Sequence, residues 1–288
     1  MSADKANRAP ADHDQPADAD LAIVIVCHDD RDDLGRCLES LFATAPAVSH
    51  QVVVVDNAST DGSVEMIGRR WPNVLILENK DNLGFARAVN RGIRTTSSEL
   101  VLLLNPDTLP NGKAIDALAA GLRAQPEAAA AGPRIVDGDG RPEISWWPHL
   151  GPFAEWSLRR LRHAYERGAR RANRRVEQLT SRRREVGWLT GACLMVRRQA
   201  AVAAGLMDES YFLYFDDVDL CAALRAAGGR ILFLPDTEIV HLRGRTVGRR
   251  PQATARHYRA SQLHFYRKHL PFWYPLLWLM LRLRRQLP

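Results

Sequence analysis

Apolar residues in the first hundred positions fall into short unbroken runs, and most of these runs stop at a polar cluster. Leu21 to Val26 is followed by Cys27-His28-Asp29-Asp30, Val52 to Val55 by Asp56-Asn57, and Leu100 to Leu104 by Asn105-Pro106-Asp107. Val74 to Leu77 is a further short run. Such runs are too short for helices and suit strands buried on both faces of a parallel sheet. Between them the apolar spacing becomes helical: Leu34, Leu38 and Leu41 before Pro46, then Phe85, Ala88, Val89 and Ile93. Ala58 to Ser63 is a turn-rich loop that can cap a helix through Asp61 or Ser63. Strand and helix alternate four times, which predicts right-handed crossovers and an α/β fold with a mostly parallel sheet flanked by helices.

Carboxylates and amides at successive strand ends are poor core residues and good ligand residues. Pro106 cannot donate to a ladder and holds Asn105 extended, so Asn105 and Asp107 are fixed at the carboxyl end of a central strand. Open α/β sheets bind their ligands at that edge. The first strand leads into His-Asp-Asp and not into a Gly-x-Gly-x-x-Gly loop, which argues against a dinucleotide-dependent dehydrogenase.

Further along, Ile115, Leu118 and Leu122 mark a helix ending near Pro126, and Asp137-Gly138-Asp139-Gly140 reads as a tight turn. Leu158, Leu161, Tyr165, Ala169, Ala172, Val176 and Leu179 then recur at helical spacing through a segment holding eleven arginines and two glutamates between Ser157 and Arg184. Two readings stand for this basic helix: a solvated face on a packing helix, or an arm lying on an anionic membrane. Leu189 to Val196 reads as a loop entering a strand, and a short helix ends at Gly205. Tyr211 to Phe215 reads as an aromatic strand that runs into Asp216-Asp217-Val218-Asp219. A helix closed by Gly228-Gly229 follows, then strands Ile231 to Leu234 and Ile239-Val240, ending at His241. Three acids in four positions exceed what one helix cap requires. The tail from Leu270 to Leu281 carries Phe272, Trp273, Tyr274 and Trp278 among leucines with basic flanks. It is too short to span a bilayer, which needs about 20 residues, and it predicts an amphipathic, interfacial helix.

Composition changes the picture in two respects. The net charge of +7 points to an anionic partner, while 46% hydrophobic and 25% charged residues are ordinary for a globular chain of 288 residues. The cysteines Cys27, Cys37, Cys193 and Cys221 form no CxxC pair and read as small core residues in a reducing compartment. Residues 1–20 are acidic, rich in Ala, Asp and Pro, and expected to be disordered, without the form of a signal peptide. The expected organisation is a domain over residues 21–248, with the basic helical segment at 153–184, and a helical membrane-interfacial segment at 249–288.

Five motifs in order resemble family-2 glycosyltransferases of the rhamnosyltransferase-like branch, over about residues 21–248. They are Val-Val-Val-Val-Asp56-Asn-Ala-Ser-Thr-Asp-Gly-Ser, Asn82-Leu-Gly-Phe-Ala-Arg-Ala-Val-Asn90-Arg-Gly, Leu-Leu-Leu-Asn105-Pro-Asp107-Thr, Trp188-Leu-Thr-Gly-Ala-Cys, and Phe-Leu-Tyr-Phe-Asp-Asp217-Val-Asp-Leu-Cys, with His241 closing the series. The resemblance implies a GT-A fold and an inverting glycosyltransferase. Its sugar, rhamnose by the family's suggestion, would pass from a nucleoside-diphosphate donor to a hydroxyl of a glycan or lipid-linked acceptor in cell-surface polysaccharide synthesis. It implies donor contacts from His28, Asp56, Asn82, Gly84, Asn90 and Asn105, and a divalent metal, Mn²⁺ or Mg²⁺, at Asp107 and His241. Trp188, Thr190, Gly191 and Asp216 would shape the acceptor side, and Asp217 would be the catalytic base. Two positions depart from the family: His28-Asp29 stands in place of Tyr-Asn, and Asn105 in place of the first aspartate of Asp-x-Asp. The chemistry agrees independently, because a departing diphosphate needs its charge neutralised and a hydroxyl nucleophile needs a base. The expected place is cytoplasmic, peripheral on the inner face of the plasma membrane. A sugar nucleotidyltransferase would carry a Gly-rich basic loop after its first strand, and a nucleic-acid-binding protein would leave the acid clusters unexplained, so no nucleic-acid partner is expected.

Overall fold

The computed structural model describes residues 19–149, 151–242 and 251–288. The expected disordered tail therefore lies outside the described residues except for Ala19 and Asp20. There the Asp20 carbonyl accepts the Leu100 N–H at 3.0 Å, so these two residues already belong to the sheet edge. The expected domain boundary at 248 also lies outside the described residues.

The four apolar runs form β1 (Leu21–Cys27), β2 (His50–Asp56), β3 (Leu75–Glu78) and β4 (Leu100–Leu104). They pair in parallel in the order β3-β2-β1-β4. Burial explains the composition. Alternate residues of β1 face opposite cores, Ala22, Val24 and Val26 on one side and Leu21, Ile23, Ile25 and Cys27 on the other, so neither set can be polar. Each leucine so buried contributes about 1.5–3 kcal/mol. Helices α1 (Arg31–Ala43), α2 (Ser63–Arg70) and α4 (Gly112–Arg123) cover one face, through Leu34, Leu38, Ile67 and Ile115. Helix α3 (Phe85–Thr95) covers the other, through Ala86, Val89 and Ile93.

Beyond β4 the sheet becomes mixed. After the two-residue strands β7 (Trp146–Trp147), β8 (Arg184–Glu185) and β9 (Trp188–Leu189), strand β10 (Cys193–Arg197) lies antiparallel between β4 and β6 (Ala128–Val136), and β11 (Arg230–His241) runs parallel to β6. The two strands expected at Ile231 to Leu234 and Ile239-Val240 are one strand with an irregular register between Leu234 and Glu238. Its end pairs antiparallel with the two-residue β5 (Thr108–Leu109), His241 opposite Thr108. All four cysteines are buried and free.

Three expectations change in shape. Tyr211 to Phe215 is not a strand: Tyr214 and Phe215 both have positive φ, 68° and 63°, so the chain coils into the helix α8 (Asp216–Ala226). Apolar sequence cannot reveal that coil, whose rings pack on the C-terminal helices. The long basic helix is two, α5 (Pro152–Glu166) and α6 (Arg170–Thr180), broken at Gly168 with φ 72°. Their apolar stripe packs on the domain through Leu158, Ala172, Val176 and Leu179. The C-terminal segment forms α9 (Pro251–His269) and α10 (Tyr274–Leu283), following the short α7 (Arg198–Ala203) and α8 in chain order. Helix α10 is not simply interfacial: Leu277 and Leu281 are buried against Tyr211, Phe215, Phe265 and Tyr266, while Leu276, Leu279 and Leu283 stay exposed. Among the described residues no helix is long and apolar enough to cross a membrane.

Candidate active site

One cleft of about 1150 Å³ opens at the carboxyl ends of β1 and β4. Register explains why polar residues converge there. Cys27 is level with Asp56 across β1 and β2, and Ile25 is level with Leu104 across β1 and β4, so the polar extensions of these strands emerge together. His28, Asn82, Gly84, Asn105 and Asp107 line the side under the parallel strands. Trp188, Thr190, Gly191, Asp216, Asp217 and His241 also line the cleft.

The turn after β4 is built by Asn105. Its carbonyl accepts the Thr108 hydroxyl at 2.7 Å, and its N–H donates to the Ala192 carbonyl at 3.0 Å. The turn delivers β5 to β11, and Leu242 N–H donates to the Asp107 carbonyl at 2.8 Å. His241 is thereby set beside Asp107, with Nε2 3.1 Å from Oδ1. On the other edge of the ring Nδ1 lies 3.5 Å from Glu143 Oε2. Burial acts to lower the imidazole pKa, but the two carboxylates outweigh it and push it up to about 9. Glu143 itself is carried in by the hairpin after β6, where its N–H donates to the Ile135 carbonyl at 2.8 Å. Among the described residues no group of three or more His, Cys, Asp or Glu is arranged to hold a metal by itself.

Helix α8 presents the acids. Asp217 Oδ2 accepts the Gly191 N–H at 2.8 Å and Oδ1 accepts the Val218 N–H at 2.8 Å. A Cβ at Gly191 would stand 3.3 Å from that of Asp217, a tight contact that would press on the carboxylate's helix. Asp216 Oδ1 accepts the Asp217 N–H at 2.9 Å, and its Oδ2 is buried with no hydrogen-bond partner among the described residues. Burial and the neighbouring Asp217 charge push Asp216 up to about 8. Burial raises Asp217 too, but its two N–H donors oppose the rise. Of the pair, Asp216 is therefore the one that favours the proton, and the N–H donors favour the charge on Asp217. Asp219 turns away from the cleft and accepts from Lys268, His269 and the Tyr211 hydroxyl.

Two expected donor residues lie elsewhere. Asn90 lies on the buried face of α3, where it donates to the Met207 carbonyl at 2.8 Å and to Glu209 at 3.1 Å and accepts the Met207 N–H at 3.0 Å. All its hydrogen-bonding directions face a loop brace, and it does not line the cleft. Asp56 stands one layer behind the cleft, its carboxylate accepting the Ser59 N–H at 3.0 Å and the Cys27 thiol at 3.3 Å. Asn82 instead fixes the loop shape, its Oδ1 accepting the Gly84 N–H at 3.0 Å. Gly84 has φ 84°, and a Cβ there would come within 2.7 Å of the Phe212 carbonyl, so the loop and the coil before α8 interlock at this glycine.

Residues 16–269 match the family described as glycosyltransferase like family 2. The chain belongs to that family. It is 35% identical over 283 residues, 90% of this chain and 88% of the relative, to the N-acetylglucosaminyl-diphospho-decaprenol L-rhamnosyltransferase of Mycobacterium tuberculosis. A low-salt glycan biosynthesis hexosyltransferase of Haloferax volcanii is 25% identical over 225 residues, covering 72% of this chain and 62% of the relative. The fold resembles that of the Pyrobaculum calidifontis mannosyltransferase solved with GDP-Man and Mn²⁺, with TM-score 0.58, 18% identity, and 94% and 72% of the two chains covered. GalNAc-T7 solved with UDP, GalNAc and Mn²⁺ gives TM-score 0.57 at 16% identity, over 78% of this chain and 44% of the other. The mixed sheet with helices on both faces is thus the GT-A architecture, and the chain is a glycosyltransferase.

Within that family architecture, residues unremarkable in sequence line the cleft or back its lining residues. Glu143 had no signal, since only strand register brings it to His241. The basic segment was visible as charge, but not that Arg159, Arg160, Arg162 and His163 of α5 line the cleft.

Proposed function

We propose that this glycosyltransferase moves L-rhamnose, with inversion, from a nucleoside-diphosphate donor to a hydroxyl of an N-acetylglucosaminyl-diphospho-polyprenol acceptor. The observation that carries the reading is one cleft lined by both Asp217, whose carboxylate accepts two backbone N–H groups, and the Asp107–His241 pair. The activity of the mycobacterial relative, similar along nearly its whole length, supports the sugar and the acceptor.

Asp217 accepts the proton of the acceptor hydroxyl as that oxygen attacks the anomeric carbon. The bond from that carbon to the diphosphate breaks, and the nucleoside diphosphate leaves with the electron pair. A single displacement by one base, with no covalent nucleophile, inverts the anomeric centre. Gly191 and Val218 N–H groups hold the carboxylate in place, and Asp216, carrying its proton, adds no second charge beside it. Asp107 would offer one oxygen, and His241 one imidazole nitrogen once a cation displaces the proton that the carboxylates hold there, a donor set that would suit a divalent cation, Mn²⁺ somewhat better than Mg²⁺. Such a cation neutralises charge on the leaving diphosphate. The enzyme works at the cytoplasmic face of the membrane, where such acceptors are anchored.

The test is a donor and acceptor matrix with purified protein, following transfer of labelled sugar to a short-chain N-acetylglucosaminyl-diphospho-lipid. Transfer from dTDP-rhamnose with the opposite anomeric configuration in the product is the expected result. Transfer only from another sugar nucleotide would overturn the assignment of rhamnose, and retention would overturn the single displacement.

A further inference from the structure

Along α5 three kinds of surface follow one another toward the catalytic acids. At its start Phe153 is 73% and Trp156 58% exposed, a high cost for rings that could have packed inward. Phe153 meets Trp273 edge-on, with ring centroids 5.6 Å apart, which joins it to the loop where Phe272 is 96% exposed. Trp156 belongs both to this apolar rim and to the cleft wall.

The next turn is cationic. Arg159, Arg160 and His163 are exposed on the cleft wall, and Arg162 lies beside them. Arg160 stacks over the Trp156 ring at 4.6 Å. Neither Arg159 nor Arg160 forms a salt bridge among the described residues. The nearby carboxylate of Glu155 is turned to α9, where it accepts from the Tyr266 hydroxyl at 2.6 Å and Gln262 at 2.7 Å. Like charges within one helical turn repel. The six residue steps from Trp156 to Arg162 span about 9 Å of helix, so the cations sit between the apolar rim and the catalytic end. Arg162 donates to the Ile144 carbonyl at 3.1 Å, which holds it against the domain.

We infer that α5 is the seat of a lipid diphosphate: Arg159 and Arg160 hold the diphosphate joining the acceptor sugar to its lipid, and the Phe153, Trp156, Phe272 and Trp273 rim receives the lipid at the bilayer surface. The inference rests on the lipid-linked acceptor proposed above and deepens it by assigning the subsite. The guanidinium fork matches phosphate oxygens in pairs, and aromatic rings with adjoining cations suit the bilayer interface. With the donor diphosphate at the Asp107 end, the acceptor diphosphate would occupy a separate, lipid-facing end of the same cleft.

The test compares the full chain with its Arg159→Gln/Arg160→Gln form and, separately, with Trp156→Ala. Binding is read by flotation with phosphatidylcholine vesicles carrying a polyprenyl diphosphate, against vesicles with phosphatidylglycerol of equal charge. The wild type is expected to prefer the polyprenyl diphosphate by about tenfold or more. The double arginine form should lose that preference, and Trp156→Ala should weaken binding to both vesicles. Calorimetric affinity for dTDP with Mn²⁺ should stay unchanged in both, which also reports an intact fold. A wild type without preference, or an arginine variant that keeps it, overturns the inference. A loss of dTDP affinity in the arginine variant would assign these arginines to the donor and overturn it as well. Because vesicle binding needs no turnover, failure of the proposed reaction with the vesicle result intact would fall on the reaction and not on this subsite.

Discussion

His241 and Asp107 lie 134 positions apart in sequence, yet Nε2 and Oδ1 are 3.1 Å apart. Their meeting is a consequence of strand pairing, since His241 sits opposite Thr108 in the β5–β11 ladder and Leu242 hydrogen-bonds the Asp107 carbonyl. If the pair takes a divalent cation together with a diphosphate, nucleoside diphosphate should bind more tightly with Mn²⁺ than without. Asp107→Ala should remove that gain, and His241→Ala should remove part of it. Glu143→Gln, which loosens the ring from behind, should weaken the gain by about tenfold. Titration calorimetry of the diphosphate with and without Mn²⁺ measures all three. Equal affinities throughout, with turnover surviving a chelator, would leave Asp107 as a sugar contact in a metal-independent enzyme.

The two adjacent carboxylates of α8 should separate in mutagenesis. Asp217→Asn preserves shape but cannot accept a proton, so turnover should fall by roughly 10² to 10⁴, with diphosphate affinity unchanged. Asp216→Asn replaces a group that is already neutral at pH 7, burial and the Asp217 charge having pushed it up to about 8. Its effect on turnover should stay below about tenfold. Steady-state rates at saturating donor distinguish the two. An Asp216→Asn enzyme as impaired as Asp217→Asn would mean that the pair acts as one unit.

How much of this was legible in sequence follows from how local each feature is. The first four strands were readable because both faces of each are buried, which forces an unbroken apolar run such as Leu100 to Leu104. The coil at Tyr211 to Phe215 has the same apolar content and so reads as a strand, since left-handed backbone at Tyr214 and Phe215 leaves no mark in hydrophobicity. The α5–α6 break had a sign, Gly168, but one glycine in a helical pattern is common and says little. Asn90 shows the limit of a motif: the amide is in the expected place, yet the brace it makes with Met207 and Glu209 depends on a loop more than a hundred residues away. Glu143 and the direction of the α5 arginines depend only on tertiary packing.

Asn90 gives a test of brace against ligand. Asn90→Ala would leave the Met207 N–H and carbonyl without their partners in a buried place, and should cost about 2–3 kcal/mol of stability. Urea denaturation would show a lower midpoint with unchanged slope. Diphosphate affinity should be close to wild type. A stable variant with weakened donor binding would return Asn90 to the nucleotide site.

The exposed and buried sides of α10 make a pair of contrasting predictions. Leu281 is fully buried in the aromatic cluster beside α8, so Leu281→Ala should cost about 2–4 kcal/mol. Leu276 and Leu279 are 58% and 48% exposed, and serine at both, with Phe272→Ser, should leave the melting temperature nearly unchanged. The same triple variant should be released from anionic liposomes, where the wild type stays bound by its apolar face and nearby arginines. Equal flotation of variant and wild type would confine α10 to packing.

Asp219 ties α9 to the catalytic helix, accepting from Lys268 at 2.9 Å, His269 at 2.6 Å and the Tyr211 hydroxyl at 3.2 Å with its side chain only 2% exposed. Burial acts to raise its carboxyl, but the His269 and Lys268 bonds prevail and hold it below the usual carboxylate range. A depressed folded value means stability that is present above the unfolded value, about 3.9, and lost as pH falls through the folded one. The C-terminal helices should therefore undock below about pH 4, exposing the Phe215, Phe265 and Tyr266 rings. Asp219→Asn keeps the volume but removes the charge opposite Lys268 and His269. Because Lys268 is 39% exposed and partly solvated, the loss should be about 2 kcal/mol and not the larger cost of stranding a fully buried ion. Hydrogen exchange over residues 251–288 at descending pH reads the undocking directly. In the variant these amides should exchange faster already at pH 7 and show a smaller acid dependence, the remainder coming from Asp208, which accepts from Lys268 at 2.8 Å and lies 3.2 Å from His264. Matching acid profiles in the two proteins would mean that Asp219 contributes nothing measurable to holding the helices.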